Sequence, residues 1–183
     1  VTYPDGSKET VDVPVTVTEA ENETYEATGG AITKNYGEAT TEAEVLAKVT
    51  TDYPADAATQ PTKALKAGQT LPDGKTSGDF NVVVEVTYPD GTKDEATVTV
   101  TVAKSNAETY EPTVEKETVK KGGEVDLTDN VTNLDKLPEG TTVKDVTPEG
   151  TIDTNTPGNY TGKIEVTYPD GSKETVDVPV TVT

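Results

Sequence analysis

A hexapeptide, Val-Thr-Tyr-Pro-Asp-Gly, occurs three times in this chain, at 1–6, 86–91 and 166–171, spaced by 85 and then 80 residues. Self-similarity at such a period restricts the fold to a tandem array of like units. The likeness runs well beyond the hexapeptide. Residues 1–18 are identical to 166–183, and Glu-Thr-Tyr-Glu stands at 23–26 and again at 108–111, also 85 apart. Gly78 and Phe80 ahead of the second hexapeptide match Gly158 and Tyr160 ahead of the third, at an offset of 80. One unit is therefore five residues longer than the other. The extra residues are expected within Ala55–Lys75, a stretch rich in Ala, Gln, Pro and Lys.

The hexapeptide also carries readable local physics. Val82, Val84, Val86 and Tyr88 alternate with Asn81, Val83, Glu85 and Thr87, the period of two that marks a strand with one buried face. Ile164, Val166 and Tyr168 repeat the pattern against Lys163, Glu165 and Thr167. In the Tyr-Pro-Asp-Gly that follows, Pro fixes φ, Asp bonds its own backbone and Gly accepts a positive φ, so the segment turns the chain back on itself. The returning strand puts Val176, Val178, Val180 and Val182 inward, and Thr175, Asp177, Pro179 and Thr181 outward. Pro179 has no N–H to give a ladder, so this strand is expected either to lie at a sheet edge or to bulge there.

A unit boundary drawn at the hexapeptide would cut this hairpin, so the boundary falls after Val-Thr-Val-Thr. The chain then divides into 1–18, the closing hairpin of an upstream repeat otherwise missing, a long repeat at 19–103 and a standard repeat at 104–183. Residues 1–18 keep only the end of their first strand, leaving Val13, Val15 and Val17 with no sheet to cover them. Their order is expected only from packing on the next repeat or pairing with another molecule's edge, because a lone hairpin is marginal in water.

Helix is scarce. Thr41-Glu42-Ala43-Glu44 reads as a capping box opening a short helix through Lys48. The matching region, Asp126–Leu137, offers Asp126 or Thr128 as a cap and Val131, Leu134 and Leu137 at helical spacing, and about two turns are expected there. Further strands are expected at Thr113–Val119, Thr142–Val146 and Ala31–Asn35. The fold class is all-β with one short helix per repeat, arranged as tandem immunoglobulin-like β-sandwich repeats of reduced strand content.

Composition narrows the chemistry. Apolar residues make up 31% of the chain and aromatics 5%, enough only for thin cores in several small domains. The net charge is −19, every basic side chain is a lysine, and such a surface repels nucleic acid and anionic membranes. Charge of this size also favours a soluble monomer. With no Cys and no His there is neither a disulfide framework nor a thiolate or imidazole metal site, and the commonest acid–base residue is missing. No apolar run is long enough to span a bilayer, and no signal, sorting or lipidation motif is visible in these residues.

Val-x-Val-Thr-Tyr-Pro-Asp-Gly-[Ser/Thr]-Lys followed by an alternating valine strand resembles the Rib/alpha-like repeats of Gram-positive surface proteins. Leu134–Thr141 and Thr154–Gly158 also match that family's pattern. The shorter unit is similar to the family's standard repeat, and the longer one resembles its long variant. The resemblance implies an immunoglobulin-like fold set head to tail in an extracellular, cell-wall-anchored stalk, with neighbouring repeats as partners. It brings no catalytic residue and no cofactor.

Other chemistry weighs less than the bland reading of the same residues. Asp126, Asp129 and Asn130 lack the ligand spacing of a calcium loop and read as a cap. Tyr3, Tyr88 and Tyr168 each close the inward face of a strand and read as core. A Lys–Asn amide crosslink needs three groups meeting in a dry core. The sequons at Asn22, Asn130 and Asn159 read as coincidence. Carboxylate pairs such as Glu42 with Glu44 or Asp129 with Asp135 have no Trp-lined cleft to serve a glycosidase. No catalytic, cofactor-binding or metal residue is expected. A spacer that projects a distal adhesive region and a module that binds a host surface protein or glycan remain as readings, and the unchanged outward residues of the repeated turn favour the spacer.

Overall fold

The computed structural model describes residues 1–183. In the long repeat, a one-turn helix α1 (Glu21–Thr24) leads into β1 (Ala27–Gly29), β2 (Ala31–Lys34), α2 (Glu42–Ala47), β3 (Val49–Thr51) and β4 (Thr62–Leu65). The hairpin β5 (Gly78–Thr87) and β6 (Lys93–Val102) closes it. The standard repeat runs α3 (Asn106–Thr109), β7 (Glu117–Val119), a 3-10 turn at Leu134–Lys136, β8 (Thr142–Asp145), β9 (Gly158–Thr167) and β10 (Lys173–Val182).

Both repeats are built on one four-stranded sheet of the same order, β2-β6-β5-β4 and β7-β10-β9-β8. The hairpin is the spine of each, paired antiparallel from Gly78 opposite Val102 to Thr87 opposite Lys93, and from Gly158 opposite Val182 to Thr167 opposite Lys173. The short strand near the start of each repeat joins the last strand in parallel. Strict alternation sends one face of the hairpin inward. Val82, Val84, Val86, Val98 and Val100 are buried in the long repeat, and Ile164, Val166, Val178 and Val180 in the standard one.

Each repeat closes a core of its own. In the long repeat the sheet is covered by α2, which buries Val45, and by the β1–β3 ribbon, with Tyr25, Tyr53 and Leu65 at the margin. In the standard repeat irregular chain does the covering, with Leu127 and Leu137 buried and Val114, Val131 and Ile152 beside them. The second layer is therefore thin, and the molecule is mostly strand with a few short helices.

Several expectations need correcting. The long repeat has two short helices, because Glu23-Thr24, like Glu108-Thr109 in the standard repeat, ends a one-turn helix. The two turns expected in Asp126–Leu137 are absent, and only the 3-10 turn forms. Asp, Thr and Asn there favour turns over helix, whereas Glu42–Ala47 is built of good helix formers behind a complete capping box. The strand expected at Thr113–Val119 is cut to Glu117–Val119, with a lone bridge between Val114 and Val131. β10 neither bulges nor runs at the edge. Pro179 sits in register opposite Thr161, and β7 joins the other side only from Val180 onward, so no partner is denied an N–H. At the matching place in the long repeat, Thr99 N–H does donate, to Gly30 O at 3.2 Å.

β2 keeps the offset of 85 from β7, while β4 keeps the offset of 80 from β8. The five extra residues therefore fall between Lys34 and Thr62, which overlaps the expected Ala55–Lys75 only at its start.

Residues 1–18 form only the tip of a hairpin, one bridge between Thr2 and Lys8, and every one of their side chains is exposed. They do not pack on the next repeat. Tyr3, expected in a core, is 44% exposed.

Candidate functional surfaces at the repeat ends

The side-chain hydrogen bonds that tie distant parts of each repeat together lie where the chain enters and leaves it. The Tyr-Pro-Asp-Gly turn is closed by Tyr88 N–H to Thr92 O and Gly91 N–H to Tyr88 O, both 2.9 Å, and the turn at Tyr168 repeats both bonds. Gly91 and Gly171 lie at φ 85 and 84, which an L side chain would strain. Asp90 Oδ1 accepts from Thr92 N–H at 2.8 Å, and Asp170 Oδ1 from Ser172 N–H at 2.9 Å.

The second oxygen of each aspartate holds the leading helix. Glu21 N–H donates to Asp90 Oδ2 at 2.8 Å, and Asp90 N–H returns a bond to Glu21 Oε2 at 2.9 Å. In the standard repeat Asn106 N–H donates to Asp170 Oδ2 at 2.6 Å and Ala107 N–H to Ser172 Oγ at 3.0 Å. The first free N–H groups of a one-turn helix are thus capped by a turn 64 to 69 residues away. Hydrogen bonding from the Thr92 hydroxyl, then from Glu21 N–H, holds the Asp90 carboxyl below the usual range. At Asp170 burial pushes upward, but bonds from the Ser172 hydroxyl and from the Asn106 and Ser172 N–H groups outweigh it, and the carboxyl is again lowered.

Beside each turn, burial raises the phenol of Tyr88, helped by its bond to Asp94, and that of Tyr168, helped by its bond to Glu174. Tyr25, Tyr53 and Tyr88 cluster with centroids 4.8 to 6.3 Å apart, Tyr25 meeting Tyr53 edge to face, and Tyr110 lies 6.3 Å from Tyr168. Tyr88 and Tyr168 are core residues, as their place in the strands implies.

Between the repeats only Ala103, Lys104 and Ser105 separate β6 from α3. Ser105 caps α3 in a complete capping box with Glu108. Glu108 Oε1 also accepts a 2.6 Å bond from Ser77 Oγ of the long repeat. Around this bond lies a polar cleft of about 540 Å³, to which Tyr36 and Lys75 contribute from one side and Lys173 and Glu174 from the other.

The residues weighed for other chemistry are placed apart. Asp126 Oδ1 accepts from Thr128 N–H and hydroxyl, and Asn130 is buried with its Nδ2 on Glu117 Oε2 at 3.2 Å. Glu44 closes its capping box and meets Lys34 Nζ at 2.6 Å. Asn22 Nδ2 donates to Lys93 O, and Asn159 Oδ1 accepts from the Thr181 hydroxyl. The helix-pinning role of Asp90 and Asp170 was missed in the sequence, where both look like ordinary turn residues. The only signal was that aspartate and hydroxyl recur two residues apart in every copy.

Comparison with known proteins gives a consistent outcome. The Rib domain family model matches residues 1–19, 21–104 and 106–183. The C protein alpha-antigen of Streptococcus agalactiae serotype Ia is 40% identical over 189 aligned positions, which is all of this chain and 18% of that protein. The chain thus spans under a fifth of that relative's length. A solved structure of a Rib domain from Streptococcus pyogenes is 38% identical and covers 43% of this chain and 99% of its own, with a TM-score of 0.38. Human mucin-like protocadherin EC1-2 aligns with 87% of this chain at 14% identity and a TM-score of 0.31. The family is one of repeat modules, not of enzymes. With a family match that accounts for both repeats and the eighteen residues before them, the chain belongs to the Rib domain family.

Proposed function

We propose that this chain is a section of the stalk of a cell-wall-anchored Gram-positive surface protein, a spacer whose repeats hold a distal region away from the cell. One observation supports this above the rest. The chain enters each repeat at the hairpin turn, through a helix pinned to Asp90 or Asp170, and leaves from the far end of the last strand. Ten residues of strand span about 33 Å, so each repeat carries the chain forward by nearly its own length. A three-residue connection then delivers it to the next turn. Independent, end-to-end repeats at 19–103 and 104–183 follow from this reading.

Small-angle scattering of the 183-residue chain tests it, with an elongated profile and a maximum dimension near the sum of two repeats expected. A compact profile overturns it. The rival reading, a module that binds a host protein or glycan, is checked on matrix-protein and glycan arrays, where a spacer gives no saturable binding.

A further inference from the structure

We infer that the joint from a long repeat into a standard one is a braced, direction-specific interface, and that the joint leaving a standard repeat lacks the brace. The inference rests on the spacer reading for its significance but on separate residues for its support.

The brace is the 2.6 Å hydrogen bond from Ser77 Oγ to Glu108 Oε1. Both partners are held from behind. Ser77 immediately precedes Gly78, which begins β5 opposite Val102 at the exit end of the long repeat. Glu108 is fixed by the Ser105 capping box, its Oε2 taking Ser105 N–H at 2.9 Å while its own N–H donates to Ser105 Oγ at 3.2 Å. Ser105 is almost fully buried, so the carboxylate is oriented before it meets the serine. The Tyr36-Gly37 turn of the long repeat also reaches the second repeat, where a Cβ on Gly37 would lie 4.0 Å from Asp170 O.

The same positions in the other combination differ everywhere except at the glutamate. At an offset of 80, Ser77 corresponds to Pro157, which has no hydroxyl to donate, and Lys75 to Asn155. At an offset of 85, Tyr36 corresponds to Lys121. On the receiving side Ser105 corresponds to Ala20 and Glu108 to Glu23, and α1 accordingly has no side-chain cap. The exit end of a standard repeat therefore has no hydroxyl at the brace position, and the receiving end of a long repeat has a glutamate that no capping serine orients. In an array, the order of long and standard repeats sets which joints are stiff and which swing.

The test uses the whole chain. Residual dipolar couplings of the 183-residue protein should fit a single alignment tensor across both repeats. Ser77→Ala and Ser77→Pro should split this into two tensors, and Ser77→Thr, which keeps the hydroxyl, should restore one. Ser77→Pro leaves the long repeat folded, since the standard repeat carries proline at the same place before the same strand, and unchanged couplings within each repeat verify that. Two tensors in the parent chain, or one tensor retained in Ser77→Ala, would overturn the brace. A compact scattering profile would instead overturn the spacer reading, so the two failures are told apart.

Discussion

Gly162 lies in the middle of β9, where an added Cβ would stand 2.2 Å from Leu127 Cδ1, 3.2 Å from Thr147 Oγ1 and 3.4 Å from Ile152 Cδ1. At the matching position the long repeat has Val82, itself buried. At this point in the sheet the long repeat fills its core from the strand, and the standard repeat from the covering loop. Gly162→Ala should therefore cost the standard repeat about 1–3 kcal/mol by overpacking, and Leu127→Ala about 2–5 kcal/mol by cavity formation. The double variant should cost clearly less than the sum in denaturant titrations, since one change vacates the space the other needs. Strict additivity would mean the two side chains do not share that space. Nearby, Ile164→Ala should cost about 2–5 kcal/mol while Thr167→Ala changes stability by under about 0.5 kcal/mol. The pinning aspartates add a pH dependence. Asp90 and Asp170 have folded pKa values below their unfolded ones, so their contribution is complete above the ordinary carboxylate value and is lost as pH falls through the folded values. Melting temperatures should drop on acidification below about pH 4, and Asp170→Asn should flatten that drop in the standard repeat.

One stretch of sequence shows what an element owes to its surroundings. Residues 9–18 and 174–183 are identical, yet Val178 and Val180 are 0% and 1% exposed in β10, while Val13 and Val15 are 77% and 81% exposed. The alternating pattern specifies which face of a strand is apolar, and β9 is what makes the strand. Amide hydrogen exchange should accordingly be fast throughout 10–18 and slow across 174–182. Removing residues 1–18 should leave the melting of both repeats unchanged, and a large loss in either would show that the segment belongs to its fold. The hairpins and α2 were legible for the same reason, namely that a period of two around Pro-Asp-Gly and a capping box are self-contained signals. The helices α1 and α3 were not, because a single turn has no periodicity and these two depend on Asp90 and Asp170. Nor was the β1–β3 ribbon, whose Gly29 crosses so close to β6 that a Cβ would fall 1.9 Å from Thr97 O. Gly29→Ala should selectively unfold the long repeat, leaving the calorimetric transition of the standard one in place.

Across the whole molecule, the arrangement of strands decides how the chain would carry load when pulled from its ends. Tension enters the standard repeat at α3 and leaves at the end of β10, the strand that β7 joins in parallel. In a parallel pair stretched from the start of one strand and the end of the other, the bonds lie across the pull and are loaded together. Here they comprise the Glu117–Val119 ladder with Val180–Val182, extended by Thr183 N–H to Val119 O and Lys121 N–H to Thr183 O. Each bond contributes only about 0.5–1.5 kcal/mol net, so resistance depends on breaking them at once. A hairpin pulled from its open end yields one pair at a time. The chain has no cysteine, which leaves thiol handles free to define the geometry. With handles at Lys104→Cys and Thr183→Cys, single-molecule stretching of the standard repeat should give a high unfolding force. With handles at Asn159→Cys and Thr181→Cys, which face each other across β9 and β10, the force should be markedly lower at the same thermal stability. Equal forces in the two geometries would show that the parallel pair does not bear the load.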